Sequence, residues 1–510
     1  MKTELASGET PSSSTTNSKK AFKVQTCNYL VVGAGTTGMS FIDTILSENT
    51  TATVVLVDRN TKPGGHWVHS YPFVRLHQQS CSYGVNSVPL GKNLNSKGHE
   101  RYDVYDRATG SEVVDYYERV CEQFKASGRV QCFFGVEYKF DKITSTHMII
   151  SCDKDKDKKD SFVVTCDKVV TVSTNISVPS TRKPLIPVHD RVHFIPINEL
   201  SSSIMSRKYK KYIVFGNGKT GCDAIIHLLD HEIDQSQITW IVSRDVWYWL
   251  RDVLKDLKKS MLIFKRGMQN ATSVEESFRS FEDGGLFCRL DPSRPYPTIF
   301  KGPIIDQKEL DMMRTIEHVV RLGRAISIEE NKIVLDKGCF DFSTDDTLLV
   351  DCMNDKWIEG LYPGNFTIFQ PGRINIGPLL TLFNSSSTSS IIAFLECALD
   401  DDESKNNCCY FRRGPYSIPT TENFIGQIYL SNKSINALKK VPGGGKFFLN
   451  SRTTILSPQH HKGGMLGFLW FMFGPQKFSN FSKQLETKIE SKRFSDIDHC
   501  FGIESFFSEE

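Results

Sequence analysis

No run of apolar residues in this 510-residue chain reaches the ~18 needed to cross a bilayer. The longest candidate, MLGFLWFMF from Met465 to Phe473, is about half that length. Neither sign of charge is in excess. Lys and Arg number 62 and Asp and Glu 59, a formal net charge of +3, which excludes a protein held on nucleic acid by a global basic field. The 14 cysteines contain no CxxC and no regular ladder of spacings, so they are expected to be reduced thiols of a cytoplasmic protein. GxSxG, HExxH and Walker loops are absent, which leaves no serine hydrolase, zincin or P-loop signature. His460 and His461 are adjacent and lack metal-ligand spacing, so no metal site is expected. The first twenty residues, MKTELASGETPSSSTTNSKK, lack the apolar core of a secretory signal. With Glu4 and Glu9 they also lack the acid-poor face of a transit peptide, and residues 1–24 are expected to be a disordered tail.

What is present is a globular composition, 39% hydrophobic and 11% aromatic, and a βαβ pattern that occurs twice. Tyr29 to Val32 (YLVV) reads as a buried parallel strand. GAGTTG follows it, then a helical run with apolar Met39, Ile42, Ile45 and Leu46, then TATVVLVD ending at Asp58. The pattern returns as KKYIVF up to Phe215, GNGKTG, the helical CDAIIHLLDH and the strand ITWIVSR. In such a turn the first glycine makes the bend, the second lets a diphosphate approach the backbone, and the third lets helix and strand pack closely. The helix N-terminus offers free N–H groups to the phosphates. Gly33, Ala34, Gly35, Thr36, Thr37 and Gly38 form the first candidate turn; Gly216, Gly218, Lys219, Thr220 and Gly221 form the second.

The strand after each turn separates the ligands. Asp58, followed by Arg59, places a carboxylate where it accepts from a ribose hydroxyl and repels a 2′-phosphate, which suits FAD or NAD. Ser243 and Arg244 end the corresponding second strand without an acid, which suits the 2′-phosphate of NADPH. Further along, VVTCDKVVTV reads as strand, turn and strand, DKDKDKKD (Asp153 to Asp160) as a solvated hairpin tip, and Gln307 to Leu322 as helix. Thr347 to Cys352 reads as a strand and Ser390 to Leu399 as a helix. Trp247, Tyr248, Trp249 and Arg251 form an aromatic and cationic group suited either to a cleft wall or to core packing.

GAGTTG, Asp58, KPGGHW (Lys62 to Trp67) and YPFVR (Tyr71 to Arg75), with GNGKTGCD, resemble the flavin-containing and Baeyer–Villiger monooxygenase group. This group lies within the flavoproteins that carry two dinucleotide-binding domains. The resemblance covers roughly residues 25–400. It implies an α/β fold of two Rossmann-like domains, the first turn holding FAD and the second NADPH. Gly64, Gly65 and Trp67 would lie along the FAD, and Val136 of FFGVEY would contact the adenine through its backbone. TVSTNISVP and LLVDCMND would be the interdomain linkers. Arg75, His77 and Gln78 fall where the loop of the group approaches the flavin ring, and a cation there would stabilise reduced flavin. His77 stands where Baeyer–Villiger enzymes have Asp. VHFIPINEL replaces the monooxygenase fingerprint, and no Cys pair follows the double-glycine loop, which disfavours disulfide reduction.

The expected organisation is an FAD domain of residues 25–185 and 330–430, an NADPH domain inserted at 186–329, and a C-terminal cover segment of 431–510. The expected activity is hydride transfer from NADPH to flavin and then electron transfer to oxygen or an organic acceptor, with a small-molecule substrate. The alternative is a non-catalytic NADPH/FAD-binding sensor that retains the fold.

Overall fold

A computed structural model describes residues 23–91, 105–152, 161–172, 178–206, 208–353, 366–377, 380, 385–411 and 420–453. The N-terminal tail, the DKDKDKKD segment, most of TVSTNISVP, His460, His461 and the Met465–Phe473 run lie outside them.

Two sheets organise the chain. The first unit opens with β1 (Lys23–Val32), α1 (Thr36–Glu48) and β2 (Val54–Asp58). It continues through α2 (Gly110–Ala126), β3 (Val130–Phe134), β4 (Val136–Asp141), β5 (Thr146–Ser151) and β6 (Phe162–Val172). A strand buried on both faces must be apolar throughout, and β2, VVLVD, is buried at every position. α2 starts at a capping box: Thr109 accepts from the Glu112 amide and Glu112 accepts from that of Thr109.

The chain then enters a second unit through β7 (Phe194–Pro196), α3 (Leu200–Met205), β8 (Lys211–Phe215), α4 (Lys219–Asp230) and β9 (Ile238–Ile241). A small sheet of β10 (Trp247–Leu250), β11 (Phe287–Arg289) and β12 (Ile304–Ile305) packs with α5 (Leu257–Asn270) and α6 (Val274–Asp283) around an aromatic core. α7 (Gln307–Arg314) and β13 (His318–Val320) follow, then the antiparallel β14 (Ala325–Glu329), β15 (Lys332–Leu335) and β16 (Gly338–Asp341), and then β17 (Thr347–Asp351). The chain returns to the first unit with β18 (Phe369–Gln370), β19 (Arg373–Ile376), α8 (Ser385–Ala398) and α9 (Asp402–Asn406). It continues as α10 (Thr421–Leu438) and α11 (Gly444–Asn450).

The first sheet runs β18-β19-β6-β1-β2-β3, with β4 and β5 as an antiparallel extension from β6. The second runs β13-β9-β8-β17-β7 and is parallel throughout. Each is a doubly wound α/β layer. The two chain crossings lie side by side. Arg182, entering the second unit, forks onto Asp351 at 2.9 and 3.3 Å and onto the Met353 carbonyl at 2.8 Å, where the chain leaves it.

Four sequence expectations differ from the structure. The second unit does not end at 329, because β17 fills the slot between β7 and β8, and Ile333, Leu335 and Leu349 share a core with Ile213 and Phe215. The VVTCDKVVTV segment is one strand rather than two; mid-strand, Asp167 accepts from Asn28, and Lys168 pairs with Glu396 and Asp402. Gln307 to Leu322 is a helix only to Arg314, after which the chain turns into β13. The boundary at 430/431 falls inside α10.

Candidate dinucleotide sites

In the first turn Gly33 has φ +111°, a conformation that side chains disfavour, and a Cβ on Gly38 would lie 2.0 Å from the Gly33 carbonyl oxygen. The second turn repeats this geometry: Gly216 has φ +103°, and a Cβ on Gly221 would lie 1.9 Å from the Gly216 oxygen. Both turns therefore need glycine at their first and third positions for their own packing, before any ligand is considered. The middle glycines differ. A Cβ on Gly35 would meet the Gly65 Cα at 3.4 Å, so the first turn and the double-glycine loop touch backbone to backbone. A Cβ on Gly218 would meet nothing within 4 Å.

The helices behind these turns are open at their N-termini. Gly35 precedes α1 and Gly218 precedes α4, both extended and neither helix with a side-chain cap. By contrast α2, α6, α7 and α9 are capped by Thr109, Ser273, Asp306 and Asp401. The two glycine turns thus present uncapped N–H groups and the positive ends of two helix dipoles, the arrangement that a diphosphate requires.

Asp58 ends β2 nearly buried. Its carboxylate accepts from the Ala34 amide at 2.6 Å and the Asn60 amide at 2.7 Å, which leaves lone pairs for a further donor. Arg59 beside it is exposed. β3 pairs Phe134 with Asp58, and the Gly135 amide donates to the Asn60 carbonyl, which sets Val136 beside the same turn. Thr36 and Trp67 join through tyrosines that the sequence reading missed. Tyr117 donates to Thr36 Oγ1 at 2.9 Å, Tyr83 shares a short hydrogen bond with Thr36, and Trp67 Nε1 donates to Tyr83 at 2.7 Å. Thr37 accepts from Ser389 of α8 at 2.6 Å. His66, its ring tilted against that of Trp67, is pushed down to about 4 by burial.

Tyr83 lies in a loop held from the far end of the chain. The Arg452 guanidinium donates to the carbonyls of Cys81, Tyr83, Val85 and Val88. The same loop region holds Gln79, which is 1% exposed and has no partner for either amide atom among the described residues.

The three residues expected near the flavin ring have different surroundings. Arg75 is exposed and donates outward to the Arg107 carbonyl, while Gln78 donates to Ser82. Only His77 lies at the junction of the units, where its Nδ1 accepts the Ile304 amide at 3.2 Å. A backbone N–H can only donate, so the neutral ring carries its proton on Nε2. Burial, then the charges of Lys219, Arg251 and Arg107, hold His77 well below the usual imidazole range. The cations that accompany His77 are these three rather than Arg75.

Lys219 ion-pairs with Asp223 in a short contact, and Tyr71 of the first unit donates to Asp223 at 2.6 Å. Arg251 is fully buried and binds Asp306 at 2.8 Å and Glu309 at 3.2 Å, the capping box of α7. Trp247, Tyr248 and Trp249 belong to the core; Tyr248 also donates to the Asn217 carbonyl in the second turn. The VHFIPINEL segment is an edge strand, and His193 accepts from the Leu349 amide within the sheet.

At the end of β9, the Asn217 side chain donates to the Arg244 carbonyl at 2.7 Å and fixes the Ser243–Arg244 bend to the second turn. Arg244 is exposed and has no ion-pair partner among the described residues. Packing around the Lys301 ammonium, then the charges of Arg244 and Arg324, push that ammonium down, although the side chain as a whole stays exposed. Lys301 thus lies within electrostatic reach of both Arg244 and Arg324. Lys301 and Arg324 carry no local motif that could have announced them. Among the described residues no cluster of His, Cys, Asp or Glu could hold a metal, and no helix is long and apolar enough to cross a membrane.

Fold and turns together define an α/β protein with two dinucleotide-type units. No protein-family model matches the chain. It is 32% identical over 396 residues, 75% of this chain and 69% of the relative, to the uncharacterized protein Rv2000 of Mycobacterium tuberculosis. The same figures hold for the uncharacterized protein Mb2023 of Mycobacterium bovis. The chain belongs to the family of these mycobacterial proteins. It is also similar to solved structures of a steroid monooxygenase bound to NADP (TM-score 0.48, 12% identity, 73% of this chain and 85% of that one) and of cyclohexanone monooxygenase (TM-score 0.45, 16% identity, 73% and 88%).

Proposed function

We propose that the chain is an FAD-dependent NADPH oxidoreductase of the monooxygenase type that acts on a small molecule. The observation that carries this reading is the pair of uncapped glycine turns, with a carboxylate at the end of the first and three cations at the end of the second. A carboxylate and a cation cluster at equivalent strand ends sort one adenosine from the other, since only the second tolerates a 2′-phosphate.

In this reading Gly33 to Gly38 and the N-terminus of α1 hold the FAD diphosphate. Asp58 accepts from the ribose, and Gly64, Gly65, Trp67 and Val136 line the same ligand. Gly216 to Gly221 and α4 hold the NADPH diphosphate, and Ser243 and Arg244, joined by Lys301 and Arg324, hold the 2′-phosphate. When bound, the flavin supplies two-electron chemistry, accepting hydride and passing electrons to oxygen or an organic acceptor. His77 stays neutral at the junction and presents its Nε2–H as a donor, and Lys219 supplies positive charge beside it. Gln79 offers an amide that has no partner among the described residues, in the loop that follows.

The test is the visible spectrum of the purified protein before and after anaerobic addition of NADPH. A flavin spectrum that bleaches rapidly is the expected result. Absence of flavin refutes the FAD assignment. Bound flavin that NADPH leaves oxidised refutes the enzyme reading and favours a sensor that merely binds both nucleotides.

A further inference from the structure

α2 and β3 form a helix–turn–strand pair that walls the first glycine-turn site. Val114 of α2 packs within 3.3 Å of the position a Gly64 side chain would take, and β3 ends beside Asp58. The two elements carry one cysteine each. Cys121 is buried in α2 and Cys132 is half-buried in β3, and their sulfurs are 3.3 Å apart, in hydrogen-bond contact. Both are free thiols, and among the described residues they belong to no cluster that could hold a metal.

We propose that Cys121 and Cys132 are a peroxide-responsive dithiol that closes to a disulfide and staples α2 to β3. The sulfurs need to approach by only about 1.3 Å to reach bonding distance. The elements that carry them are joined by a short turn around Gly128, φ +71°, which confines both ends. Hydrogen peroxide, or another hydroperoxide, is the oxidant. One of the two sulfurs takes one oxygen of the peroxide to become a sulfenic acid and releases water. The other sulfur then displaces that oxygen as a second water and forms the S–S bond. Two thiols and one peroxide thus give one disulfide and two waters, with both protons accounted for. The shared hydrogen bond sets the two apart: against burial it holds the Cys121 thiol below the usual thiol range, with Lys125 adding to the effect, and together with burial it pushes the Cys132 thiol up.

Tryptic cleavage after Arg119, Lys125, Arg129 and Lys139 places the two cysteines in separate peptides, Val120–Lys125 and Val130–Lys139. The full-length protein treated with a few equivalents of hydrogen peroxide is digested without reductant, in the presence of dimedone. The expected product is the cross-linked pair, lighter by two hydrogens than its parts and lost on treatment with dithiothreitol. Cys152 and Cys339, both exposed, acquire dimedone in the same sample and report that oxidant reached the protein. In Cys121→Ala the link is lost and Cys132 acquires dimedone instead, because nothing displaces its oxygen. The oxidised wild-type chain melts a few degrees above the reduced one. Separate sulfenic or sulfinic peptides for Cys121 and Cys132 in the wild type, or both left unmodified while Cys152 and Cys339 are tagged, overturn the dithiol. An equal or lower melting point of the linked form overturns the staple.

Discussion

Arg244→Ala tests the reading of the second site most directly. Arg244 is exposed and unpaired among the described residues, so its removal leaves no buried partner behind and should not disturb folding. Its backbone stays in place, because the bond from Asn217 is to the Arg244 carbonyl and not to its side chain. A charge-assisted hydrogen bond to a phosphate contributes about 1.5–3 kcal/mol, and solvent exposure puts this one near the lower end. About 1.5–2 kcal/mol corresponds to a loss of roughly 10–30-fold in affinity for the 2′-phosphorylated cofactor. The unphosphorylated cofactor lacks the group that is read and should bind almost as before. Titration calorimetry with NADP⁺ and NAD⁺ on wild type and variant gives both numbers without depending on turnover. Lys301→Ala should act the same way and more weakly, since its ammonium is close enough to Arg244 to be depressed by it. An equal loss for both nucleotides would refute the reasoning, for it would mean that Arg244 supports the turn rather than reading the phosphate.

Gly38→Ala forces a methyl group to within 2.0 Å of the Gly33 oxygen, so α1 must separate from β1; a cost of about 3 kcal/mol is expected, read by urea unfolding, with loss of flavin on purification. Gly35→Ala, meeting Gly65 at 3.4 Å, should keep the fold and lower flavin occupancy, and full occupancy would mean that the ligand does not lie there. Arg452→Met leaves buried carbonyls at Cys81, Tyr83, Val85 and Val88 without their donor and should destabilise by about 3 kcal/mol, against less than about 0.5 kcal/mol for an exposed arginine such as Arg59. His66, held at about 4, stays neutral in the folded chain and becomes charged near 6.5 in the unfolded one. Its contribution is therefore intact above pH 6.5 and is lost as pH falls from 6.5 toward 4. His66→Gln should flatten the melting temperature over that window, and an unchanged slope would assign the loss to other groups.

The glycine turns were legible because steric necessity writes them into the sequence. Gly33, Gly38, Gly216 and Gly221 have no room for a Cβ or sit at positive φ, and the buried strands beside them admit only apolar residues. Asp58 stands at the strand end where the sequence put it, whereas β9 ends at Ile241 and Arg244 lies in the bend beyond it. The partners gathered around them were not. Tyr83, Tyr117, Lys301, Arg324 and Arg452 reach the sites from distant parts of the chain, and no local pattern records a meeting of that kind. Arg75 and His77, grouped by the resemblance, have different partners: Arg75 donates to the Arg107 carbonyl, and the His77 ring accepts from the Ile304 amide. β17 was misassigned because TLLVD would suit the interior of either sheet, and only pairing with β8 decides between them.

The side-by-side crossings at Arg182 and Asp351 also set an order of events during synthesis. The second unit is built from one uninterrupted stretch, and all five of its strands have emerged once Asp351 has. The first unit has to wait. Its β6 edge stays unpaired until β19 arrives, α1 lacks α8, and the Tyr83 loop lacks Arg452 until nearly the whole described chain has been made. Domains fold as units while the chain lengthens. The inserted unit therefore folds ahead of the one that surrounds it, and the half-made first unit exposes an apolar strand edge throughout that interval. That edge, running along Val169, Val170 and Val172, is where a nascent chain of this family most needs protection from its neighbours.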